Sequence, residues 1–245
     1  MTQRLNRIFL DQSIEVEKEI DLPAEAVRHL STVLKIREND EIVLFNNTAA
    51  EYLARVVLSA KRQVKVIVCE ARDVNVESPL TIHLVQAVAR GEKMDWIIQK
   101  SVELGVSEIT PMFSERTGVK LSQDRLTKKL EHWQKVIVSA CEQCGRNTLP
   151  VLHQPISFDE LCKDQQLLEN AIQLYPHSGA SITELPKYDR YVLIIGPEGG
   201  LSESEVALLN SKNVNAIKMG PRILRTETAG LAAISVLQAT FGDLG

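Results

Sequence analysis

The run Tyr191-Val-Leu-Ile-Ile is apolar throughout and breaks at once into Gly196-Pro-Glu-Gly-Gly. A strand with no polar face has to be buried on both sides, as at the centre of a parallel sheet covered by helices. Parallel neighbours need crossover connections, so the surrounding chain should alternate strands with helices. From Leu80 onward it does. Strands are expected at residues 81–87, 108–112, 171–175, 191–195 and 216–219. Helices are expected at 93–104, 123–143, 158–168, 203–211 and 226–239. The first of these carries Met94, Ile97, Ile98 and Val102 at helical spacing and stops at Gly105. The last is apolar or small on almost every side, which expects burial against the sheet and against a second subunit. The pattern predicts an α/β domain with a largely parallel sheet.

Residues 1–72 follow a different rhythm. Strands are expected at 4–10, 41–45, 51–58 and 63–69, with Asn46-Asn47 and Lys61-Arg62 between them. Asp21 and Pro23 open a short helix whose apolar face is Val27, Leu30, Val33 and Leu34. Short strands at this spacing suggest a small β-barrel. The polar stretch 72–79 ends in Ser78-Pro79 and serves as a linker, which divides the chain into domains 1–72 and 73–245.

Lys and Arg number 28 against 32 Asp and Glu, a net charge of −4 over 245 residues. That balance excludes indiscriminate coating of nucleic acid and leaves room for a local site. Residues 116–146 hold seven basic residues against three acidic ones, a local charge of +4. Arg116, Lys120, Arg125, Lys128, Lys129, Lys135 and Arg146 are those seven, and as a group they suit phosphate contact; singly, each also fits a solvated helix face. No apolar stretch is long enough to span a bilayer, and the first residues do not read as a signal peptide. Four cysteines in so long a chain suggest reduced thiols and a cytoplasmic protein. Cys141-x-x-Cys144 lies inside a helical pattern with no second cysteine pair and no closely spaced histidine pair, so no metal is expected.

Two loops follow strands and carry glycine. One is Gly196-Pro-Glu-Gly-Gly-Leu-Ser-Glu-Ser-Glu, in which Ser202 and Glu205 form a capping box. The other is Met219-Gly-Pro-Arg-Ile-Leu-Arg-Thr-Glu-Thr-Ala. Both sit at the carboxyl ends of strands, where α/β proteins place ligands, and could form one pocket. Neither the Walker pattern nor Gly-x-Gly-x-x-Gly is present. A phosphate could still meet the helix start near Ser202. Glu198, Glu203 and Glu205 around it suit a positively charged ligand better.

These two loops closely resemble the RsmE family of SPOUT-class, S-adenosylmethionine-dependent methyltransferases of 16S ribosomal RNA. Ser101-Val-Glu-Leu-Gly-Val, Ser114-Glu-Arg-Thr, Glu142-Gln-Cys-Gly-Arg-Asn, Arg4-x-x-Arg-Ile-Phe and His29-Leu-x-x-Val-Leu-Lys-Ile extend the resemblance over essentially the whole chain. Departures occur at Glu38-Asn-Asp and Asn46-Asn47, where the family more often has glycine. The resemblance implies a PUA-like RNA-binding β-barrel followed by a SPOUT domain with a deep C-terminal trefoil knot. It also implies a homodimer and methylation of a uridine at N3 near the 3′ end of 16S rRNA. The RNA would be met free or in the small ribosomal subunit.

Under that implication S-adenosylmethionine is held by Ile195, Gly196, Pro197, Glu198, Gly200, Met219, Gly220, Ile223, Leu224 and Thr228. Ile195 and Ile223 are also ordinary core candidates. Catalytic candidates are Arg225, Glu198 and Glu227. Arg225 would stabilise a uridine anion or clamp a phosphate, Glu198 would act as base or sulfonium-side carboxylate, and Glu227 would orient Arg225. Both glutamates equally suit a helix N-terminus. RNA contacts fall to Arg4, Arg7, Arg116, Arg125, Lys128, Lys129 and Arg146. A non-catalytic RNA-binding protein and a phosphate-ligand enzyme are the competing readings.

Overall fold

The computed structural model describes residues 5–119, 122–177 and 179–245, without the side chain of Val33. Arg4 and Lys120, both expected near RNA, lie outside the described residues. The chain divides into two compact units, Met1–Glu77 with Cys141–Leu149, and Ser78–Ala140 with Pro150–Gly245.

The first unit is built on a five-stranded mixed sheet. Its strands are β1 (Asn6–Phe9), β2 (Glu19–Asp21), β3 (Glu41–Phe45), β4 (Ala50–Ala60) and β5 (Gln63–Asp73), in the order β1-β3-β4-β5-β2. β1 and β3 are parallel and the other neighbours antiparallel. Helix α1 (Ala24–Arg28) runs on as a π-helical turn over His29–Leu34, and Val27 and Leu30 join Ile8, Ile42, Leu44 and Val66 in the core. Asp21 does not cap that helix. It closes β2, accepts a hydrogen bond from Gln63 Nε2 at 2.9 Å and pairs with Lys65, while Pro23 takes the cap position. The unit passes the boundary expected at residue 72 because β5 reaches Asp73 and Glu77 pairs with Arg146 of the same unit.

The second unit holds seven strands: β6 (Thr81–Ala87), β7 (Glu108–Phe113), β8 (Val151–Leu152), β9 (Ile156–Ser157), β10 (Ala171–Leu174), β11 (Arg190–Ile195) and β12 (Asn215–Ile217). They run in the order β12-β10-β11-β6-β7-β8, with β9 also beside β7, and every pairing is parallel. Between them lie α2 (Lys93–Glu103), α3 (Gln123–Cys144), α4 (Phe158–Leu161), α5 (Gln165–Leu168) and α6 (Glu203–Ser211), and α7 (Thr226–Phe241) follows the last strand. The single helix expected over 158–168 is two, because the Asp164 carboxylate accepts from Gln166 N and Leu167 N and starts a second helix. Strands β8 and β9 have two residues each, too few to show a pattern in sequence.

As its composition requires, β11 sits inside the sheet with β6 on one side and β10 on the other, and Tyr191 through Ile195 are all buried. One face packs Val192 and Ile194 with Phe158, Leu161 and Leu209. Across the other face lies α7, whose Gly230 sits over Ile195 and Gln86 with room for a Cβ at ordinary contact distance, 3.5 Å. Cys141 is buried and carries a free thiol raised by its contact with Cys144 and by burial, which makes it unreactive.

Leu193 is fully buried in β11. Leu193→Ala is expected to destabilise the protein by about 3 kcal/mol in denaturant unfolding. A loss below about 1 kcal/mol would mean that the strand is not the centre of the core.

Candidate active site

β11 delivers its last residue, Ile195, to the carboxyl edge of the sheet, where Pro197 and the glycines turn the chain. Gly200 N donates to Pro197 O at 2.8 Å, and Gly200 has φ +68, which favours glycine. Ser202 then starts α6 with a complete capping box: its hydroxyl accepts from Glu205 N, and the Glu205 carboxylate accepts from Ser202 N at 2.8 Å. The other oxygen of Glu205 accepts from Glu115 N at 2.9 Å. That bond brings the turn after β7 to the glycine loop. There Arg116 Nη1 donates to Gly199 O at 3.1 Å and Leu201 O at 3.4 Å.

The second loop leaves β12 and reaches α7 through Gly220, which has φ +69. Thr226 joins the two loops. Its hydroxyl donates to Gly196 O at 2.7 Å and accepts from Gln86 Nε2 of β6 at 3.1 Å. Together the loops and the end of β10 enclose a cleft of about 290 Å³. Nine of the ten cofactor residues expected from sequence line it: Ile195, Gly196, Pro197, Glu198, Gly200, Met219, Gly220, Ile223 and Leu224. Thr228 does not; it is exposed on α7, and Thr226 lines the cleft in its place.

Sequence reasoning missed Leu174, Tyr175, Pro176 and His177, which lead out of β10 into the cleft wall. The signal was an apolar strand ending at a proline. The lining is apolar, with backbone amides and carbonyls of glycine turns among it, and a Cβ built on Gly200 or Gly220 meets open space. Such a wall suits a flat aromatic ring with hydrogen-bonding edges. The charged side chains in the lining are the carboxylate of Glu198 and the guanidinium groups of Arg116 and Arg222.

Glu198 and Glu227 come together through Lys93, the first residue of α2, whose Nζ is 3.9 Å from Glu198 and 3.4 Å from Glu227. Glu198 also accepts from Arg90 N at 3.0 Å. Partial burial opposes its charge, but the Arg90 and Glu198 amides and Lys93 outweigh that and hold its pKa below the ordinary carboxylate value. It is therefore ionised at neutral pH and is a weak proton acceptor. Arg225 occupies the cap position of α7 and is exposed, and its side chain has no hydrogen bond or ion pair with a described residue.

The cations expected on RNA divide into two sets. Arg7 and Arg146 are spent within the first unit. Arg7 pairs with Glu51 at 2.6 Å, donates to Asn147 and lies 4.9 Å over the Phe45 ring. Arg146 is 5% exposed and gives Nε and Nη2 to Glu77. Neither is presented to a phosphate. By contrast, Arg125 and Lys128 are exposed and Lys129 is half-buried along the first half of α3, and the three pair with no described residue. Arg116, committed to two loop carbonyls, braces the cleft.

A model of the RNA methyltransferase domain matches residues 76–238, and one of the RNA methyltransferase PUA domain matches residues 22–69. Ribosomal RNA small subunit methyltransferase E of Buchnera aphidicola from Schizaphis graminum is 38% identical over 245 residues, covering all of both chains. The Bacillus subtilis protein of that name is 32% identical, over 95% of this chain and 96% of its own. The crystal structure of the Neisseria gonorrhoeae enzyme of that name, bound to S-adenosyl methionine, superposes with a TM-score of 0.92 at 35% identity, covering 99% of this chain and 100% of its own. With the paired glycine loops closing one cleft at the carboxyl edge of a parallel sheet, these similarities place the chain in the ribosomal RNA small subunit methyltransferase E family of RNA methyltransferases.

Proposed function

We propose that this protein transfers a methyl group from S-adenosylmethionine to N3 of a uridine near the 3′ end of 16S rRNA, in the decoding region, during maturation of the small subunit. The observation that carries the reading is the cleft itself. Two glycine loops joined by Thr226 offer backbone groups and an apolar wall at one point, and an ionised carboxylate stands at the rim. When bound there, S-adenosylmethionine supplies an electrophilic methyl group on a sulfonium. Gly196, Gly200, Met219, Gly220 and Leu224, which line the cleft, would hold it through their backbone groups. The carboxylate of Glu198, in the lining of the cleft, would favour the positive charge of a sulfonium.

Uridine N3 must lose its proton and leave its pairing partner before it can accept a methyl group. Arg225, exposed and uncommitted, stabilises the resulting charge across the two flanking carbonyls. Lys93, between Glu198 and Glu227, keeps both carboxylates in place beside the cleft. Arg125, Lys128 and Lys129 bind the RNA backbone.

The finer architecture belongs to this proposal: a PUA-like barrel in the first unit, a deep trefoil knot through the two C-terminal loops, and a homodimer. Leu231, Ala232 and Val236 of α7 are only half-buried in the single chain, which supports a second copy as their cover. No helix among the described residues is long and apolar enough to cross a membrane. We place the protein in the cytoplasm with its substrate.

Mass spectrometry of 16S rRNA from a strain lacking the protein is expected to show loss of 3-methyluridine, and an unchanged level overturns the assignment. Arg225→Ala is expected to reduce turnover at least 100-fold, about 3 kcal/mol of transition-state stabilisation, with S-adenosylmethionine affinity retained in calorimetry. An equal loss of cofactor affinity would remove Arg225 from the acceptor side. Replacing both Lys128 and Lys129 by Ala is expected to weaken rRNA binding and flatten its salt dependence by about two units of slope. An unchanged slope would return α3 to a solvated face.

A further inference from the structure

At the amino edge of the parallel sheet, opposite the cleft, three side chains from distant parts of the sequence converge. His83 is in β6, Glu108 opens β7, and His153 follows β8. His153 Nε2 lies 2.7 Å from Glu108 Oε2, and His83 Nδ1 lies 3.5 Å from that same oxygen. These three atoms are all within 4.8 Å of one another. We propose that His83, Glu108 and His153 form a site for a divalent transition metal, with Zn²⁺ the best match to two imidazoles and one carboxylate.

Ligand geometry supports it. Nitrogen and oxygen ligands about 2.0–2.1 Å from a tetrahedral zinc stand about 3.4 Å apart. The His83–Glu108 separation already has that value, and the His153–Glu108 pair needs to open by about 0.7 Å. His153 is the most exposed of the three, with its side chain 40% accessible, so it has room to do so.

The tautomer of His83 follows from its neighbours. Arg190 Nη2 lies 3.1 Å from Nδ1, and a guanidinium can only donate, so Nδ1 carries the lone pair. Nε2 therefore holds the proton and donates it to Thr110 Oγ1 at 2.7 Å. An outer hydrogen bond on the far nitrogen, with the near nitrogen turned inward, is the arrangement in which proteins present histidine to a metal.

The cation now at the cluster is Arg190, the first residue of β11, 3.8 Å from Glu108 Oε1 and bonded through Nη1 to Gln166 O. A metal ion would take its place beside His83 and Glu108, and the half-exposed guanidinium would turn toward solvent. The ion would add a link at the junction of β8 with β7, which pair through only two residues. The sequence concealed this site because its ligands are 25 and 45 residues apart, outside any short zinc spacing.

The test uses the full chain stripped of metal with a chelator and titrated with ZnCl₂ in a calorimeter, with Co²⁺ absorption as a second readout. The wild type is expected to bind one ion and to unfold at a higher temperature with it. His153→Ala, at the most exposed ligand, is expected to weaken binding more than about tenfold and to abolish the thermal shift. Glu108→Gln should do the same, and Arg190→Ala should bind more tightly than wild type. Absence of binding to the wild type, binding undiminished in His153→Ala and Glu108→Gln, or weaker binding in Arg190→Ala each overturns the proposal and leaves the cluster a hydrogen-bonded clamp. Affinity for S-adenosylmethionine is a separate readout, so failure here leaves the methyltransferase reading intact.

Discussion

One buried hydroxyl connects the parts of the catalytic unit. Thr226 Oγ1 accepts from Gln86 on β6 and donates to the carbonyl of Gly196, where β11 gives way to the glycine turn. Without it the two C-terminal loops would be surface loops leaving different strands. With it, the first turn of α7 is fixed to the end of the central strand, and both loops present their backbones to one cleft. The bonds form at a buried position, where an unpaired hydroxyl or carbonyl would cost about 1–3 kcal/mol, so they also select against other arrangements of the loops.

Around that joint the side chains act mostly on the loops and less on the ligand. Arg116 was read from its charge as a phosphate contact, yet it holds two carbonyls of the glycine loop. Glu205 serves as capping residue of α6 and as acceptor for the turn after β7. Lys93 stands between two carboxylates. Charge near a cleft is thus used first to hold backbone in conformations that expose its own polar groups, which costs no reorganisation when a ligand arrives. Arg225, at the cap position of α7, is exposed and takes no part in this network.

The net charge of −4 concealed the same division of labour among the cations. Arg7 and Arg146 sit in motifs shared with the family, and both are neutralised inside the first unit by Glu51 and Glu77. Sequence cannot separate such a buried pair from a free cation, because the partners are 44 and 69 residues away. Arg125, Lys128 and Lys129 differ in being spaced along the first half of one helix, a pattern that sequence does show.

Sequence alone determined what depends on neighbours along the chain. The apolar run 191–195 required a central parallel strand, the capping box at Ser202 and Glu205 started α6, and the glycines marked both cleft loops. Strand and helix periodicity and positive-φ turns are local, so residue order suffices for them. Tertiary structure alone decided which loops share a cleft, that β10 contributes its Tyr-Pro-His end, that Thr226 replaces Thr228, and that two arginines are structural. It also brought His83, Glu108 and His153 to one point on the far edge of the sheet. Those outcomes rest on pairings between strands that are distant in the chain, and a parallel sheet makes such neighbours through crossovers whose order the sequence does not display.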